Sequence, residues 1–447
     1  MSSVMDAGPC VRTNQLDFDD EVIYKARQYL YDHARQRGDQ PFCLTVSMTH
    51  PHDPYAMTQE YWDLYEDVDI PLPTTPAMPQ EHQDEHSKRV LKIIDLWGKE
   101  IPEERIKAAR RAYFAACSYV DDQIGKLMAT LKNCGFADNT IVVFSGDHGD
   151  MLGERGLWYK MVWYEHSARV PMIIHAPGKY APKRVKENVS TMDLLPTFVA
   201  MSGGSLVPDL PLDGVSLMPH LDENSTDPKS DTVFGEYMGE GTLAPTVMIR
   251  RGPWKFVYCP LDPPMLYNVE EDPQELNNLA AGIKLPLHRA KPAVQTAVDG
   301  PAALPTPDLS PAQTPFFSQP PNGVLPTPPR SPSPPKHLPS LASVTSSKGN
   351  DVTSVFASFI AEVHARWDFD ALQKQVLHSQ RRRRLVYSAL SKGTVTPWDF
   401  QPMTAASTQF IRNQGQGALG NVEQISRWPR VEGAIVGVQG REVQYRP

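Results

Sequence analysis

Hydrophobic residues follow two different patterns along the first 280 residues, and these patterns alternate. Apolar positions recur at helical spacing in residues 19–36 and 103–135, and Gly135 closes the second segment as glycine commonly closes helices. Short, nearly continuous apolar runs predict buried strands at 41–50, 140–145 and 170–178. The alternation of helix and strand predicts an α/β fold with a mixed, largely parallel sheet.

The pattern changes towards the C-terminus. A further helix is predicted near 193–203, and residues 244–260 are typical of a hairpin with Arg251 and Gly252 near its turn. Helical periodicity returns only after residue 350 and continues to about 393. This separated helical region predicts a smaller C-terminal subdomain.

Proline interrupts the two regions. The chain has 43 prolines, and many of them lie between 281 and 340, where no hydrophobic period is found. Such a composition cannot bury enough apolar surface to offset the entropy of ordering, so a disordered insert is predicted; its PxxP-like pieces leave SH3-type binding open. The predicted domains are 1–281 (α/β), 282–350 (Pro-rich linker) and 351–447 (helical segment and tail).

The turn after the predicted strand 140–145 carries the candidate chemistry. The sequence "SGDHGDMLGERGLWYK" places Asp147 and His148 at the carboxyl end of the strand, with Lys160 shortly after. Ligands of open α/β sheets bind at that end. Carboxylate and imidazole suit a divalent cation, and a lysine can neutralise an oxyanion. A plain capping turn at Asp147 remains the alternative.

Composition and charge narrow the class of protein. The formal net charge of −8 argues against general nucleic-acid binding, and no apolar run approaches the ~18 residues of a membrane span. We expect neither nucleic acid nor membrane as a partner. The five cysteines are scattered and odd in number, which is typical of a reducing compartment, so a cytoplasmic location is predicted.

Several motifs follow one another in a recognisable order. These are "THPHDPY" (49–55), "SYVDDQIGKL", "TIVVFSGDHGDMLGERGLWYK", "ARVPMIIHAPG", "DLLPT", "LDGVSLMPHL" and "MLYNVEEDPQELNNLA". Together they resemble the type I sulfatases of the alkaline-phosphatase-like superfamily. The segment "SQRRRRLVYSALSKGTVTPWDFQP" (379–402) is similar to the C-terminal segment of the choline-sulfatase group. The resemblance covers 8–280 and about 350–430.

The resemblance implies a nucleophile that the sequence does not contain. In type I sulfatases a cysteine in a C-x-[PA]-x-R motif is oxidised to formylglycine, and two Asp residues on the first strand supply half of the metal ligands. None of the five cysteines here has that context, and the paired Asp residues are also missing. We therefore expect an N-terminal portion of the family core, including the first strand, to be absent, and we assign no nucleophile.

The resemblance also implies roles for the residues that remain. Asp147 and His148 match metal ligands, and the metal is expected to be Ca²⁺, with Mg²⁺ or Mn²⁺ as alternatives. Lys160 matches the lysine that contacts a sulfate oxygen and the leaving-group oxygen. His50 matches the histidine near the leaving group. His52 is the backup for that role, and a supporting or structural role is favoured for it.

Recognition of a choline ester would require a carboxylate or aromatic cage for the quaternary ammonium. "FGEYMGEG" offers Glu236 as the cation's partner, with Glu240 and Tyr237 beside it. The opposing interpretation is that Tyr237 belongs to the core and that Glu236 caps a loop.

The sequence thus predicts a sulfuric ester hydrolase that converts choline-O-sulfate into choline and sulfate, depends on metal and formylglycine when complete, and is inactive as this chain alone. A non-catalytic remnant with an oligomerisation or binding role, or a related phosphoester hydrolase, remain alternatives. The basic run Arg381–Arg384 and the C-terminal segment around it predict a homo-oligomer, while a nuclear signal or nucleic-acid patch remains open.

Overall fold

The structure is a computed structural model of the 447-residue chain. It describes residues 2–36, 40–204, 212–222, 225, 229–283, 352–390 and 392. The predicted Pro-rich insert and most of the tail beyond 390 lie outside these residues. Within them, no helix has the length and apolar character needed to cross a bilayer.

Helices and short strands alternate in the first part of the chain. The helices there are α1 (Ser2–Met5), α2 (Asn14–Arg35), α3 (Gln59–Asp63), α4 (Glu85–Ile93), α5 (Glu103–Asn133) and α6 (Glu165–Ala168). The strands there are β1 (Gly8–Cys10), β2 (Ala56–Thr58), β3 (Val142–Ser145) and β4 (Met172–His175). Helix α2 begins five residues before the predicted start, because the Thr13 side chain accepts a hydrogen bond from the Leu16 backbone N–H and caps the helix.

The second part is dominated by an antiparallel sheet. It contains α7 (Leu194–Met201), α8 (Met218–Leu221), β5 (Thr232–Tyr237), β6 (Thr246–Arg251), β7 (Trp254–Tyr258) and β8 (Met265–Asn268). Strands β5 to β8 form one sheet in sequence order. The predicted hairpin is confirmed as β6 and β7, which join at Gly252, a residue with φ of 48°.

The fold class is α/β as predicted, but the strand pairing is more antiparallel than expected. Among the described residues, the parallel pair is β1 with β2, whereas β3 pairs antiparallel with β4. Residues 41–49 run without an assigned strand, and their side chains alternate between exposed and half-buried positions. A β-branched apolar run fits either pairing direction, so the composition of a strand could not decide whether it pairs parallel or antiparallel.

Helix α5 forms the centre of the packing. It contacts α1, α2 and α3. Small residues on its buried face allow close approach: Ala109 and Ala112 face one apolar cluster with Tyr55 and Trp158, while Ala115 and Ala116 face a second. The first cluster includes Met151, Trp158 and Tyr159 from the loop that follows β3.

Helix α9 (Val352–Arg366) packs on the antiparallel sheet, and α10 (Phe369–Leu390) follows it. Phe359 stacks on Phe256 of β7 at 5.5 Å between ring centroids, and Phe356 meets the same ring edge-on. Glu362 accepts a hydrogen bond from Arg251 at 2.9 Å. Met1–Ala281 and Asp351–Pro447 therefore form one unit, with Gly282–Asn350 as another. The predicted division into domains 1–281, 282–350 and 351–447 stays a prediction.

Candidate active site

The turn after β3 brings Asp147 and His148 to the same side. On a regular strand, neighbouring side chains would point to opposite faces. Here the Asp147 carboxylate accepts the His148 backbone N–H at 2.9 Å, and its Oδ2 lies 3.6 Å from His148 Nε2. Gly149 is required because its backbone presses against the His166 carbonyl and leaves no room for a Cβ.

His148 is oriented as a neutral imidazole. Its Nδ1 lies 2.9 Å from the Gly149 carbonyl oxygen, so we assign the proton to Nδ1 and the lone pair to Nε2, which faces Asp147. Burial lowers the pKa of His148, and the positive charge of Lys160 lowers it further. A neutral imidazole with a directed lone pair is the form that binds metals.

Lys160 and His52 complete the cluster. The Lys160 ammonium is hydrogen-bonded to Nε2 of His52. The His52 ring lies 5.7 Å from the His148 ring between centroids. Nδ1 of His52 lies 2.8 Å from the Asp53 carbonyl oxygen and 3.1 Å from its carboxylate, so both ring nitrogens have partners. The cluster of Asp147, His148, Lys160 and His52 is hereafter the candidate site.

His50, predicted for the leaving-group side, is buried against α2. Its side chain is 2 % exposed, and Nδ1 lies 2.6 Å from the buried carboxylate of Asp19 on α2. Asp19 also accepts the backbone N–H groups of Thr49 and His50. His50 binds Asp19 because Asp19 shares the apolar face of α2 with Leu16 and Ile23 and needs hydrogen-bond donors there. An acid on an apolar helix face was the signal in the sequence for this contact.

Asp150 connects the parts of the site. It accepts the Tyr55 hydroxyl at 3.0 and 2.9 Å and the backbone N–H groups of Leu152 and Tyr159 at 2.9 and 3.1 Å. Burial raises the pKa of Asp150 to about 6. Asp150 lies in the same loop of the sequence as Asp147 and His148, which left a supporting role at the site open for it.

The segment after Lys160 is held by a buried ion network. Lys255 of β7 is 1 % exposed, and its Nζ lies 2.6 Å from Glu165 and 2.8 Å from Glu275. It also donates to the Trp163 carbonyl at 2.8 Å. Burial opposes ionisation of Glu165, but the attraction of Lys255 prevails and lowers the pKa of this carboxyl.

Glu236 and Tyr237, predicted to act together, point to opposite faces of β5 because they are neighbours on a strand. Glu236 accepts the indole N–H of Trp367 at 2.6 Å. Tyr237 lies against the His86 ring at 5.8 Å and donates to Glu240 at 3.1 Å.

The Tyr237 face of β5 is linked to the segment that follows Lys160. Nε2 of His86 lies 2.6 Å from the carbonyl oxygen of Met161, the residue after Lys160. Gly235, on the same face as Tyr237, packs so tightly against Trp163 that no Cβ fits. Tyr237 and Glu240 are therefore connected to the Lys160 segment through His86.

A divalent cation fits Asp147 and His148 as part of its donor set. Their facing oxygen and nitrogen atoms carry lone pairs that one ion could share. Across the ranges that the structure describes, no group of three or more His, Cys, Asp or Glu side chains is arranged to hold a metal. The two residues thus represent a fraction of the six to eight ligands that Ca²⁺ takes.

Comparison with known families gives three matches. Residues 4–204 match the sulfatase family, residues 374–428 match the choline sulfatase enzyme C terminal family, and residues 153–286 match the N-sulphoglucosamine sulphohydrolase C-terminal family.

Individual relatives agree. The chain is similar to choline-sulfatase of Rhizobium meliloti, with 37% identity over 436 residues, 97% of this chain and 72% of that one. It is 30% identical to arylsulfatase K of Gallus gallus over 269 residues, and the match spans about half of that protein, 49%. A phosphonate monoester hydrolase structure from Silicibacter pomeroyi, 24% identical, aligns with a TM-score of 0.50 over 58% of this chain and 55% of that one, which supports the fold alone.

Proposed function

The chain belongs to the sulfatase family of enzymes, and on that premise we propose that it contributes the metal and leaving-group side of a choline-O-sulfate hydrolase. The observation that carries the proposal is the hydrogen bond between Lys160 and His52 beside His148. Two separate motifs of the sequence meet there, as hydrolysis of a sulfate ester at one site requires.

Lys160 and His52 act on the leaving group in this proposal. When the S–O bond breaks, negative charge develops on the choline oxygen, and an ammonium held beside it stabilises that charge. His52 accepts from Lys160 at Nε2 and is held at Nδ1 by Asp53, so it orients the ammonium and can take up or return a proton at Nε2. We therefore assign to His52 the role predicted for His50.

Asp147 and His148 are the proposed metal ligands in this chain. Sulfatases use a divalent metal ion, which neutralises sulfate oxygens when bound. We propose Ca²⁺, with Mg²⁺ or Mn²⁺ as alternatives, because a carboxylate supplies one of the two donors. The neutral state of His148 supports this role, since a protonated imidazole has no lone pair to offer.

For the quaternary ammonium of choline we propose Tyr237 and Glu240, with Glu236 as the alternative on the opposite face of β5. An aromatic ring beside a carboxylate offers both cation–π and charge attraction, about 0.5–2 kcal/mol for each cation–π contact. The link from Tyr237 through His86 to Met161 supports this choice.

The nucleophile is the part that this chain does not provide. None of its cysteines lies in a C-x-[PA]-x-R motif, so we propose that the chain has no sulfatase turnover by itself and that the complete enzyme uses formylglycine. The same observation favours a second candidate function, a non-catalytic protein that binds or oligomerises.

A fusion enzyme tests the proposal. It joins this chain to the part of Rhizobium meliloti choline-sulfatase that the alignment leaves uncovered. With Ca²⁺ or Mn²⁺ present, sulfate release from choline-O-sulfate is expected from the fusion and not from the chain alone. Phosphocholine tests the phosphoester alternative, because it shares the leaving group and only the transferred group differs. It should be hydrolysed at least ~10-fold more slowly than choline-O-sulfate.

Each outcome of that experiment has a meaning. Repeated turnover by the chain alone would contradict the proposed need for an added nucleophile. A folded fusion that is inactive, beside the active Rhizobium meliloti enzyme, would favour the non-catalytic candidate. A folded fusion that prefers phosphocholine would replace sulfate ester with phosphate ester as the substrate.

We also propose that the chain forms a homo-oligomer through α10. This helix has no buried residue among those described, and Leu385, Val386 and Tyr387 are exposed beside Arg381–Arg384. The net charge of −8 makes a second copy an attractive partner for the arginines.

The oligomer should dissociate when α10 loses this surface. Replacing Leu385, Val386 and Tyr387 with serine should shift the sedimentation-derived mass to that of a monomer, whereas Val68→Ser at another exposed apolar position should not. A monomeric parent chain would overturn the proposal.

We place the protein in the cytosol, a proposal supported by the fact that all five cysteines are free.

A further inference from the structure

The candidate site is built on three segments that lack regular secondary structure. His52 lies in the segment 50–55, Asp147 and His148 in the turn after β3, and Lys160 at the end of residues 150–160, which contain only a single 3-10 turn. Contacts between these segments must therefore keep Lys160 within reach of His52.

Asp150 contacts all three segments. It follows His148 by two residues, it accepts the hydroxyl of Tyr55 three residues after His52, and it accepts the backbone N–H of Tyr159, the residue before Lys160. The Met151 backbone N–H donates to the Tyr159 carbonyl at 2.7 Å and closes the same loop. One carboxylate thereby ties together the backbone next to each functional group.

Asp150 and Tyr55 are both enclosed by the protein. Tyr55 is 2 % exposed, and its ring lies parallel to Tyr159 at 6.1 Å and tilted against Trp158 at 5.6 Å. In the described part of the chain, Asp150 is hydrogen-bonded to a phenol and backbone N–H groups, which orient it without adding a second cation beside Lys160. Neutral donors on a buried acceptor give a fixed geometry.

We infer that Asp150 and Tyr55 form a positioning pair that aligns Lys160 with His52 and His148. The pair does not touch substrate; it acts through the loops that carry the site. The importance of this pair for catalysis rests on the proposed function, but its effect on the position of Lys160 does not. The positioning role and the proposed function can therefore fail separately.

The test uses the full chain with ¹³C-labelled histidine rings and follows the His52 resonance, assigned with His52→Gln. Lys160→Met defines the shift of that resonance when the contact with Lys160 is lost. Tyr55→Phe keeps the ring packing and removes only the hydroxyl, and Asp150→Asn removes the charge. Each is expected to move the His52 resonance by at least half of the Lys160→Met displacement.

Tyr61→Phe is the matched control, because the Tyr61 hydroxyl donates to Asp122 at 2.9 Å in a comparable tyrosine–aspartate pair. It should leave the His52 resonance in place. The double variant of Tyr55 and Asp150 should shift the resonance no further than the larger single change, since the two residues act as one unit.

Three results would overturn the inference. An unmoved His52 resonance in folded Tyr55→Phe protein would show that the pair does not align Lys160. Additive shifts in the double variant would show two independent effects. Loss of folding in both single variants, with Tyr61→Phe folded, would assign the pair a purely structural role.

Discussion

Replacing Lys160 with alanine is expected to lower kcat/KM of the fusion enzyme for choline-O-sulfate by about 10²–10³-fold, the usual effect of removing one group that stabilises charge in a transition state. The ammonium is directed by His52, so its charge is in place before the reaction begins. The loss should appear mainly in kcat, because charge develops on the leaving oxygen only as the S–O bond breaks.

The control for this change is Lys25→Ala. Lys25 pairs with Glu21 on the surface of α2, and its side chain is 68% exposed, so kcat/KM should stay within about twofold. His52→Ala should reproduce most of the Lys160 effect, and the double variant should cost little more than either single change. Full activity of Lys160→Ala fusion enzyme would remove Lys160 from the mechanism.

Replacing Lys255 with methionine is expected to destabilise the protein by about 3–5 kcal/mol, because it leaves Glu165 and Glu275 as buried charges without their cation. Denaturant unfolding at pH 7 measures the change. Lys25→Met, at an exposed pair, should alter the free energy of unfolding by less than ~0.5 kcal/mol.

The pH dependence of the Lys255 effect has a definite sign. In the native protein Lys255 lowers the pKa of Glu165, so this carboxyl stabilises the fold above its unfolded value of 4.5 and loses that contribution as the pH falls through the folded value. In the methionine variant the carboxyls lack their cation and are relieved by protonation. The difference between the two proteins should therefore shrink from pH 7 towards pH 4, and a constant difference would contradict this explanation.

Periodicity predicted the long elements because their signals are local. Helix α5 shows its apolar face over 31 residues and ends where Gly135 adopts a φ of 75°. Strand pairing is not local. Residues 140–145 correctly predicted a strand, but the four apolar residues within them do not indicate that β4 pairs with it in the opposite direction.

The residues of the candidate site also differ in whether local sequence could identify them. Asp147, His148 and Lys160 could be taken from one motif, and the structure brings them close to His52. The proposed choice of His52 over His50 depends on Asp19, 31 residues before His50, which binds the buried ring of that histidine. Likewise, the alternation of side chains along β5 separates Glu236 from Tyr237, and the register that decides this is a property of the whole sheet.

The packing of α9 on β7 has a consequence during protein synthesis. The ribosome makes Phe256 about 100 residues before Phe359, the ring that covers it. At roughly 5–20 residues per second, this apolar surface stays open for about 5–20 s on every nascent chain. That interval is long enough for chaperones to bind the nascent polypeptide, and it is the stage at which slower translation would most expose the chain to aggregation.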